Sequence, residues 1–357
     1  MEFSALTLYL TERCNFRCSY CYQLPGRRTM TPAVLDRALD VFLPYLAAEA
    51  EIHFFGGEPL LAFDLIRRAV RAVERKNGSR RKIRFGLTTN GSLITDDILA
   101  FFRDHRFRLL VSFDGLAQDV GRKQESAATV LLALERLVGA PEIQVGTNSV
   151  FTPRTVRYLS RSVRLIHELG VGDIHLAFSN LEPWPEAALG ALSKELAAAR
   201  RFAGTWRKRT GRIPLGEFRP GPERRIFACG GGTNRMAVAP DGSVWGCHLF
   251  VDHFRGKRNS AESRSYSFGR IDRFVPDQGK KISDVVSRYG LLRMTRFSTP
   301  DTACLACREV EDCAICPLDA AAPRTEIGRI PSWTCRIAKA LRTEREKFLE
   351  SKTLSRP

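Results

Sequence analysis

Short runs of β-branched and aromatic residues alternate with longer segments of helical periodicity from the N-terminus to about residue 178. In the segment 155–169, for example, apolar residues recur at a spacing that places them on one face of a helix. Strands that alternate with helices predict a parallel α/β assembly, open or barrel-like, which binds ligands at the carboxyl ends of its strands. The predicted strands are Ser4–Leu10, Glu51–Phe55, Lys82–Thr88, Arg108–Phe113, Ile143–Val150 and Asp173–Phe178. The predicted helices are Pro32–Ala48, Leu60–Lys76, Asp96–Arg103, Ser126–Leu137 and Thr155–Leu169.

This alternation stops after Asn180, and the sequence predicts three further regions. Residues 181–228 form a bridging segment, residues 229–340 a small Cys-rich domain, and residues 341–357 a helical tail. The Cys-rich domain begins with a predicted hairpin, in which Arg235–Ala239 and Ser243–His248 flank the turn sequence Pro-Asp-Gly. The rest of it lacks regular periodicity, which favours a core built around metal.

The composition is that of a globular protein: 44% of the 357 residues are hydrophobic and 27% are charged. The sequence contains neither an apolar run of membrane-spanning length nor an N-terminal export signal, so we predict a soluble, cytoplasmic protein. A formal net charge of +17 attracts anions over long range. Nucleic acid is nevertheless a disfavoured partner, because the basic segments carry neither interleaved aromatic residues nor a nucleic-acid-reading motif.

Ten cysteines in a chain without an export signal favour metal binding over disulfides, because the cytosol keeps thiols reduced. Three of them lie within residues 14–21 and seven within residues 229–335, whereas residues 22–228 contain none. This distribution predicts two separate sulfur-rich sites.

The first group reads Cys14-x3-Cys18-x2-Cys21 and directly follows the first predicted strand. A [4Fe-4S] cluster normally has four protein ligands, so three thiolates leave one iron open for another molecule. Taken alone, this spacing is also compatible with zinc or with chance.

The segment CNFRCSYC, after TLYLTER, resembles the signature of the radical S-adenosylmethionine (SAM) superfamily. Gly56-Gly57-Glu58-Pro59, Thr89-Asn90-Gly91 and Ser112-x-Asp114-Gly115 follow the next three predicted strands, in the order typical of that superfamily. The resemblance implies a partial (β/α)6 TIM-like barrel in which SAM chelates the open iron of the Cys14, Cys18 and Cys21 cluster.

The resemblance also implies roles for the remaining motif residues. Gly56 and Gly57 present backbone groups to the SAM amine, and Glu58 fixes that loop or the amine itself. The ribose or the methionyl end is reached by Asn90, Ser112 and Asp114, and Tyr20 lies near the adenine. Relatives often carry His-Asp and then Arg after the Asp-Gly, whereas Ala117–Arg122 follows here.

The seven later cysteines resemble a SPASM domain, which carries two auxiliary iron-sulfur clusters in enzymes that modify peptides and proteins. Carried over by position, one cluster is held by Cys304, Cys307, Cys313 and Cys335. The other has only three cysteines, which are Cys229, Cys247 and Cys316. Relatives usually have three residues between the fifth and sixth cysteines of this pattern, and this chain has two, Ala314 and Ile315. The two C-x2-C pairs also suit a tetrahedral zinc ribbon.

The incomplete ligand set leaves an iron open, and three kinds of occupant are possible. Asp241 or His248 is a nearby protein candidate, although Asp241 suits the hairpin turn and His248 the end of a strand. Solvent or a small thiol is the second kind. The third is a cysteine thiolate of the substrate, which would hold sulfur beside a carbon radical and favour thioether formation.

The resemblance implies an enzyme that cleaves SAM reductively and abstracts hydrogen from a peptide or protein side chain, forming a thioether or another crosslink. An external donor such as flavodoxin or ferredoxin would supply the electron. The first strand begins near residue 4, so a ribosomal peptide substrate would need a separate leader-binding protein or another docking surface. The alternatives are formylglycine formation in sulfatases, dehydrogenation of a small molecule, and a zinc-stabilised nucleic-acid-binding module.

Overall fold

The computed structural model describes residues 2–78, 80–220, 230–276, 279–291, 297–310, 313, 315–322 and 324–351. Its strands are β1 (Phe3–Thr11), β2 (Leu46–Gly56), β3 (Lys82–Thr89), β4 (Arg108–Ser112), β5 (Gln144–Phe151), β6 (Ile174–Phe178), β7 (Arg235–Val238), β8 (Ser243–Trp245) and β9 (Gly269–Arg270). These described strands form one sheet in the order β6-β5-β4-β3-β2-β1-β7-β8-β9.

Strands β1 to β6 are parallel to their neighbours and alternate with helices. The predicted α/β partial barrel is therefore confirmed. The helices are α1 (Pro32–Phe42), α2 (Phe63–Asn77), α3 (Asp96–Asp104), α4 (Gln118–Gly121), α5 (Ala127–Val138), α6 (Leu159–Glu168), α7 (Glu186–Thr210), α8 (His248–His253), α9 (Ala261–Tyr266), α10 (Gly279–Leu291), α11 (Pro317–Ala320) and α12 (Ser332–Glu350). None of the helices in these ranges combines the length and apolar composition needed to cross a membrane.

The two faces of the barrel strands differ in chemistry. On β2, Ile52 and Phe54 are fully buried, and the Phe54 ring lies 6.1 Å from that of Phe107 beside the helical layer. The intervening His53 and Phe55 are half-buried and point to the opposite face. That face is the lumen of the barrel.

The first predicted helix, Pro32–Ala48, is too long. Helix α1 ends at Phe42, a 3-10 turn follows over Leu43–Tyr45, and β2 begins at Leu46. The segment after residue 45 is Ala- and Glu-rich, which favours a helix locally. Parallel pairing with β1 and β3 overrides this preference. Across the sheet, Glu49 on β2 also forms exposed ion pairs with Lys82 and Arg84 on β3.

The predicted hairpin is present, but its second strand is shorter than Ser243–His248. Strand β8 ends at Trp245, where the next backbone N–H, that of Gly246, donates to the Tyr289 hydroxyl at 2.8 Å. His248 accordingly begins helix α8, so the prediction that it ends a strand is wrong. The hairpin joins the barrel sheet, because β7 pairs in parallel with β1.

The region predicted as a bridge contains the 25-residue helix α7, which packs against the C-terminal helix α12. Arg200 on α7 and Glu344 on α12 form an ion pair at 2.7 Å. Helix α12 runs without interruption through residue 340, where the sequence predicts the boundary of a separate tail.

Two glycines inside α7 offer a test of helix propensity. A methyl group added at Gly190 or Gly204 meets no other atom within 4 Å. We expect Gly190→Ala and Gly204→Ala each to raise the free energy of unfolding by about 0.5–1 kcal/mol, because alanine loses less backbone entropy in a helix. Denaturant titration measures the change. The matched control is Gly211→Ala at the end of the helix, where φ is +73° and alanine is expected to destabilise.

Candidate active site

The three N-terminal cysteines lie in the loop that follows β1, at the carboxyl edge of the sheet. Burial raises the pKa of each thiol, that of Cys18 to about 11, and each of the three lies within electrostatic range of another. The backbone N–H of Phe16 points at the Cys14 sulfur from 3.4 Å. None of the nine cysteines in the described ranges forms a disulfide. A convergent group of soft thiol donors fits an iron-sulfur cluster.

Gly56 and Gly57 let the next loop pack closely against this cysteine loop. The Gly57 N–H donates to the Thr11 carbonyl and the Glu58 N–H to the Arg13 carbonyl, each at 2.8 Å. A β-carbon added at Gly57 would lie 2.4 Å from the Arg13 carbonyl oxygen, nearer than real β-carbons approach. The two glycines therefore fix the distance between the two loops.

Glu58 is fully buried beneath these loops, and its carboxylate holds them to the end of β3. It accepts hydrogen bonds from the Leu60 N–H at 3.0 Å, the Thr89 hydroxyl at 2.8 Å and the Asn90 N–H at 2.7 Å. The resemblance implies two roles for Glu58, and these hydrogen bonds support the first of them, which is to fix the loop.

The burial of Glu58 makes a pH dependence of stability testable. Burial raises its pKa from 4.5 to about 7. The folded protein then holds a proton that the unfolded chain has released, so this group's contribution to stability is lost as pH rises from about 4.5 to 7. We expect Glu58→Gln to flatten the decline in the free energy of unfolding across this range, by a few kcal/mol at most. An unchanged slope in urea titrations at several pH values would contradict the assignment.

Asn90 connects the end of β3 to the cysteine loop. Its amide donates to the Asn15 side chain at 2.8 Å and accepts from the Ser92 hydroxyl at 2.7 Å, and Asn15 itself donates to Ser92 at 2.9 Å. These three hydrogen bonds form a closed set and fix the position of Asn15, which follows Cys14 in the cysteine loop. The predicted contact of Asn90 with SAM stays a prediction.

Asp114 and Tyr20 form a buried cluster with Arg122. Asp114 accepts from the Arg122 guanidinium at 2.8 Å, from the Val150 N–H at 2.8 Å and from the Tyr20 hydroxyl. The guanidinium carbon of Arg122 also lies 5.3 Å from the centre of the Tyr20 ring. The Gly121 carbonyl accepts from the Ser19 N–H at 2.8 Å. These contacts hold the cysteine loop from its second side.

Ser112 lies half-buried at the end of β4, in register with Asn148 on β5. The structure thus brings every predicted SAM-contacting residue to one edge of the sheet, on or next to the loops that surround the three cysteines. Which of their atoms contact SAM stays a prediction.

The second sulfur-rich site lines a cavity of about 380 Å³ between the C-terminal segments and the end of β6. Leu176 and Phe178 form its barrel side, and Lys339 and Arg342 on α12 reach it from the opposite side. Burial raises the pKa values of the Cys304 and Cys335 thiols, which lie within electrostatic range of Cys307 and Cys313. The cysteines that line the cavity are Cys304, Cys307, Cys313, Cys316 and Cys335.

The remaining predicted ligands are placed differently. Cys247 directly precedes helix α8 and does not line this cavity, whereas Cys316 does. Cys229 lies outside the described residues. Among the His, Cys, Asp and Glu side chains of the described ranges, no three are grouped closely enough to hold one metal ion.

The two protein candidates for an open iron have other neighbours. Asp241 in the hairpin turn accepts from the Ser243 hydroxyl at 2.6 Å and forms an ion pair with Arg258 at 2.6 Å. The ring of His248 packs 4.2 Å from that of Phe55, and burial lowers its pKa to about 4. An unprotonated His248 retains the lone pair that a metal ligand needs.

Two groups of polar contacts near the site involve residues outside the sequence motifs. Asn180, two residues after the end of β6, donates to Asp319 at 2.9 Å and accepts from the Thr334 hydroxyl at 2.8 Å, which connects the barrel to α11 and α12. Its place at a strand end is the signal that identifies it. Tyr9 donates to the buried Asp252 at 2.9 Å, and no local pattern indicates that pair.

Comparison with known proteins assigns the first half of the chain. Residues 8–166 match the Radical SAM superfamily. An uncharacterized protein of Methanocaldococcus jannaschii is 30% identical over 183 residues, 50% of this chain and 63% of that protein. A radical SAM cyclopropyl synthase of Paramaledivibacter caminithermalis is 29% identical over 32% of this chain and 27% of its own length. A GTP 3',8-cyclase of Stenotrophomonas maltophilia is 32% identical over 48% of this chain and 57% of its own length. The chain therefore spans less than two thirds of the length of each of these three relatives.

Two solved structures share the fold over nearly the whole chain. Native anSMEcpe with bound AdoMet superposes with a TM-score of 0.77 at 17% identity, covering 99% of this chain and 100% of that one. Streptococcus suis SuiB bound to S-adenosylmethionine superposes with a TM-score of 0.62 at 14% identity, covering 94% of this chain and 77% of that one. Likeness at this level of identity shows the fold alone. Residues 8–166 therefore belong to a domain of the radical SAM superfamily, and the fold of these two structures extends over the Cys-rich region that follows.

Proposed function

We propose that the protein is a radical SAM enzyme that abstracts hydrogen from a peptide or protein side chain and forms a thioether or another crosslink. The observation that carries this proposal is the closely packed loop of Cys14, Cys18 and Cys21. It is fixed on one side by Gly57 and Glu58 and on the other by the Tyr20, Asp114 and Arg122 cluster.

In this proposal the three thiolates hold a [4Fe-4S] cluster, and SAM binds beside it along the loops that contain Gly56, Gly57, Asn90 and Ser112. A reduced cluster of this kind, with SAM bound, supplies a 5'-deoxyadenosyl radical. The polypeptide orients the substrate and excludes water. Asp114 and Tyr20 keep the cysteine loop in place.

The C-terminal cysteines are proposed to hold two auxiliary [4Fe-4S] clusters. The mutual proximity of Cys304, Cys307, Cys313 and Cys335 supports one four-ligand cluster. The other would be held by Cys229, Cys247 and Cys316, with its further ligand supplied by substrate, protein or solvent.

A peptide substrate is supported by the structures that share this fold. SuiB has been solved with its precursor peptide SuiA, and anSMEcpe with a Kp18Cys peptide. The net charge of +17 favours an acidic peptide. We further propose an external electron donor such as flavodoxin or ferredoxin, and a separate leader-binding protein if the substrate is a ribosomal peptide.

The test uses three synthetic acidic peptides that differ only in a central Cys, Ser or Ala, incubated anaerobically with cluster-loaded protein, SAM and reductant. We expect the Cys peptide to stimulate 5'-deoxyadenosine formation and to lose two mass units on crosslinking. The Ala peptide is the matched control. Equal results with all three peptides would contradict side-chain chemistry at sulfur. A mass change on the Ser or Cys peptide that corresponds to an aldehyde would support formylglycine formation instead.

A small-molecule substrate is the second candidate, and the similarity to GTP 3',8-cyclases favours it. Stimulation of SAM cleavage by GTP, and by none of the peptides, would support that alternative. Colourless protein with stoichiometric zinc after anaerobic purification would support the non-enzymatic binding module.

A further inference from the structure

The lumen of the barrel contains a chain of three hydrogen-bonded side chains from two neighbouring strands. Glu51 Oε1 lies 2.9 Å from His53 Nδ1, and His53 Nε2 lies 2.9 Å from the Thr88 hydroxyl. Glu51 and His53 are adjacent on the lumen face of β2, and Thr88 is on β3. The Glu51 and His53 side chains keep 31% and 24% of their surface exposed, so the chain borders open space.

Gly86 on β3 provides the room for this arrangement. A β-carbon at Gly86 would lie 2.5 Å from Glu51 Oε1 and 2.6 Å from His53 Nδ1. Any larger residue would therefore push the carboxylate and the imidazole apart.

The direction of the hydrogen bonds follows from the carboxylate. The hydrogen bond from His53 holds the pKa of Glu51 below its usual value, so the carboxylate is ionised near neutral pH and can only accept. Nδ1 of His53 must then carry the proton. In neutral His53, Nε2 is left as an acceptor, and the Thr88 hydroxyl donates to it.

This chain lies between the two predicted cofactor regions. Thr88 directly precedes Thr89, whose hydroxyl donates to Glu58 under the SAM-site loops. On the other side, the His53 ring is 6.4 Å from that of Phe55, which contacts His248 next to Cys247. The half-buried Thr88 hydroxyl thus lies on the lumen face, next to residues that lead to both regions.

We propose that Glu51, His53 and Thr88 form a proton-accepting subsite in the barrel lumen for a hydroxyl or thiol group of the substrate. This proposal deepens the proposed function and rests on it, because it takes the lumen as the reaction chamber. Thr88 is the catalytic residue that touches the substrate group, and His53 and Glu51 are positioning residues that act through it.

The proton transfer is balanced within these groups. The substrate O–H or S–H bond breaks, and its proton moves to Thr88 Oγ1 while the Thr88 proton moves to His53 Nε2. The product is an anionic substrate oxygen or sulfur and an imidazolium that Glu51 stabilises. No electron is transferred in this step. The subsite selects a hydroxyl or thiol because a purely aliphatic side chain has no acidic proton.

Several charged or titratable side chains face His53 or its partner Glu51. Glu51 on its own strand faces it, and Arg108 on β4 and Arg235 on β7 act on that carboxylate. On α8, His248 lies within electrostatic range. On β1, the residue level with His53 is the uncharged Thr7, and on β3 it is Gly86. Glu51 is thus the charged side chain that stabilises the imidazolium formed when Nε2 accepts the proton.

The decisive variants are Thr88→Val, which removes only the hydroxyl, and Thr88→Ser, which restores it. General acid–base groups contribute about 10²- to 10⁴-fold to rates. We therefore expect Thr88→Val to reduce the stimulation of SAM cleavage by the Cys or Ser peptide at least about tenfold. Thr88→Ser should restore the stimulation. The matched control is Thr7→Val, which lies level with His53 and should leave the stimulation unchanged.

Peptide-free SAM cleavage separates this proposal from the proposed function. It should be unchanged in Thr7→Val, and its absence in the wild-type protein would contradict the proposed function alone. Stimulation that survives Thr88→Val, or that Thr7→Val lowers equally, would overturn the subsite. Nitrogen-15 NMR of labelled histidine, assigned with His53→Gln, gives a test without turnover. We expect the Nδ1–H tautomer and a shift of the Nε2 signal in Thr88→Val, and an Nε2–H tautomer would overturn the proposal.

Discussion

We expect the triple substitution of Cys14, Cys18 and Cys21 by alanine to abolish the formation of 5'-deoxyadenosine from SAM. The three thiols lie in one loop, and that loop contains no other thiol that could replace them as soft ligands. Chromatographic measurement of 5'-deoxyadenosine under reducing, anaerobic conditions checks this result. Iron bound by the C-terminal cysteines should remain largely in place.

The matched control for this experiment is Cys304→Ala. Cys304 lines the C-terminal cavity, so its loss should reduce auxiliary iron and leave peptide-free SAM cleavage intact. Reductive SAM cleavage by the triple alanine variant would show that the N-terminal loop is not the SAM site.

The second large effect is expected from Arg122→Met, which leaves the Asp114 carboxylate buried without its cation. Asp114 is completely buried, and Arg122 is only 9% exposed. Removing one partner of a buried ion pair costs about 3–5 kcal/mol. We expect a loss of that size in the free energy of unfolding, measured by denaturant titration, together with weaker SAM binding because the cysteine loop loses its support.

The control pair is Arg68 and Asp36, which forms a bidentate contact on the surface with side-chain exposures of 51% and 36%. Arg68→Met should cost much less stability than Arg122→Met, because water screens the remaining charge. Adding Asp114→Asn to Arg122→Met should recover part of the lost stability. A double variant no more stable than the single one would show that the buried charge is not the cause.

The barrel could be predicted from the sequence because its strands and helices have clear and different periods. The motifs could be placed at one edge because parallel strands bring their carboxyl ends together. The start of β2 was not predictable in this way. Its first residues favour a helix, and their parallel pairing with β1 and β3 reverses that preference.

The sequence also does not show which side chains surround the motif residues. The sequence indicates that Asp114 belongs to the site, but its partner Arg122 is eight residues away, beyond a 3-10 turn and the short helix α4. The lumen subsite is another such case. Glu51 and His53 are two residues apart in the sequence, yet Thr88 reaches them only through the pairing of β2 with β3.

The parallel pairing of β7 with β1 makes the Cys-rich region part of the same folding unit as the barrel. Residues Ala5–Leu8 lie in the middle of the sheet only because Arg235–Val238 cover one of their two sides. A chain truncated before residue 230 would present that side of β1 as an open strand edge, with Leu6 and Leu8 beside it. Such edges recruit further strands. The N-terminal half expressed alone is therefore expected to aggregate, whereas the full-length chain should unfold in a single cooperative transition.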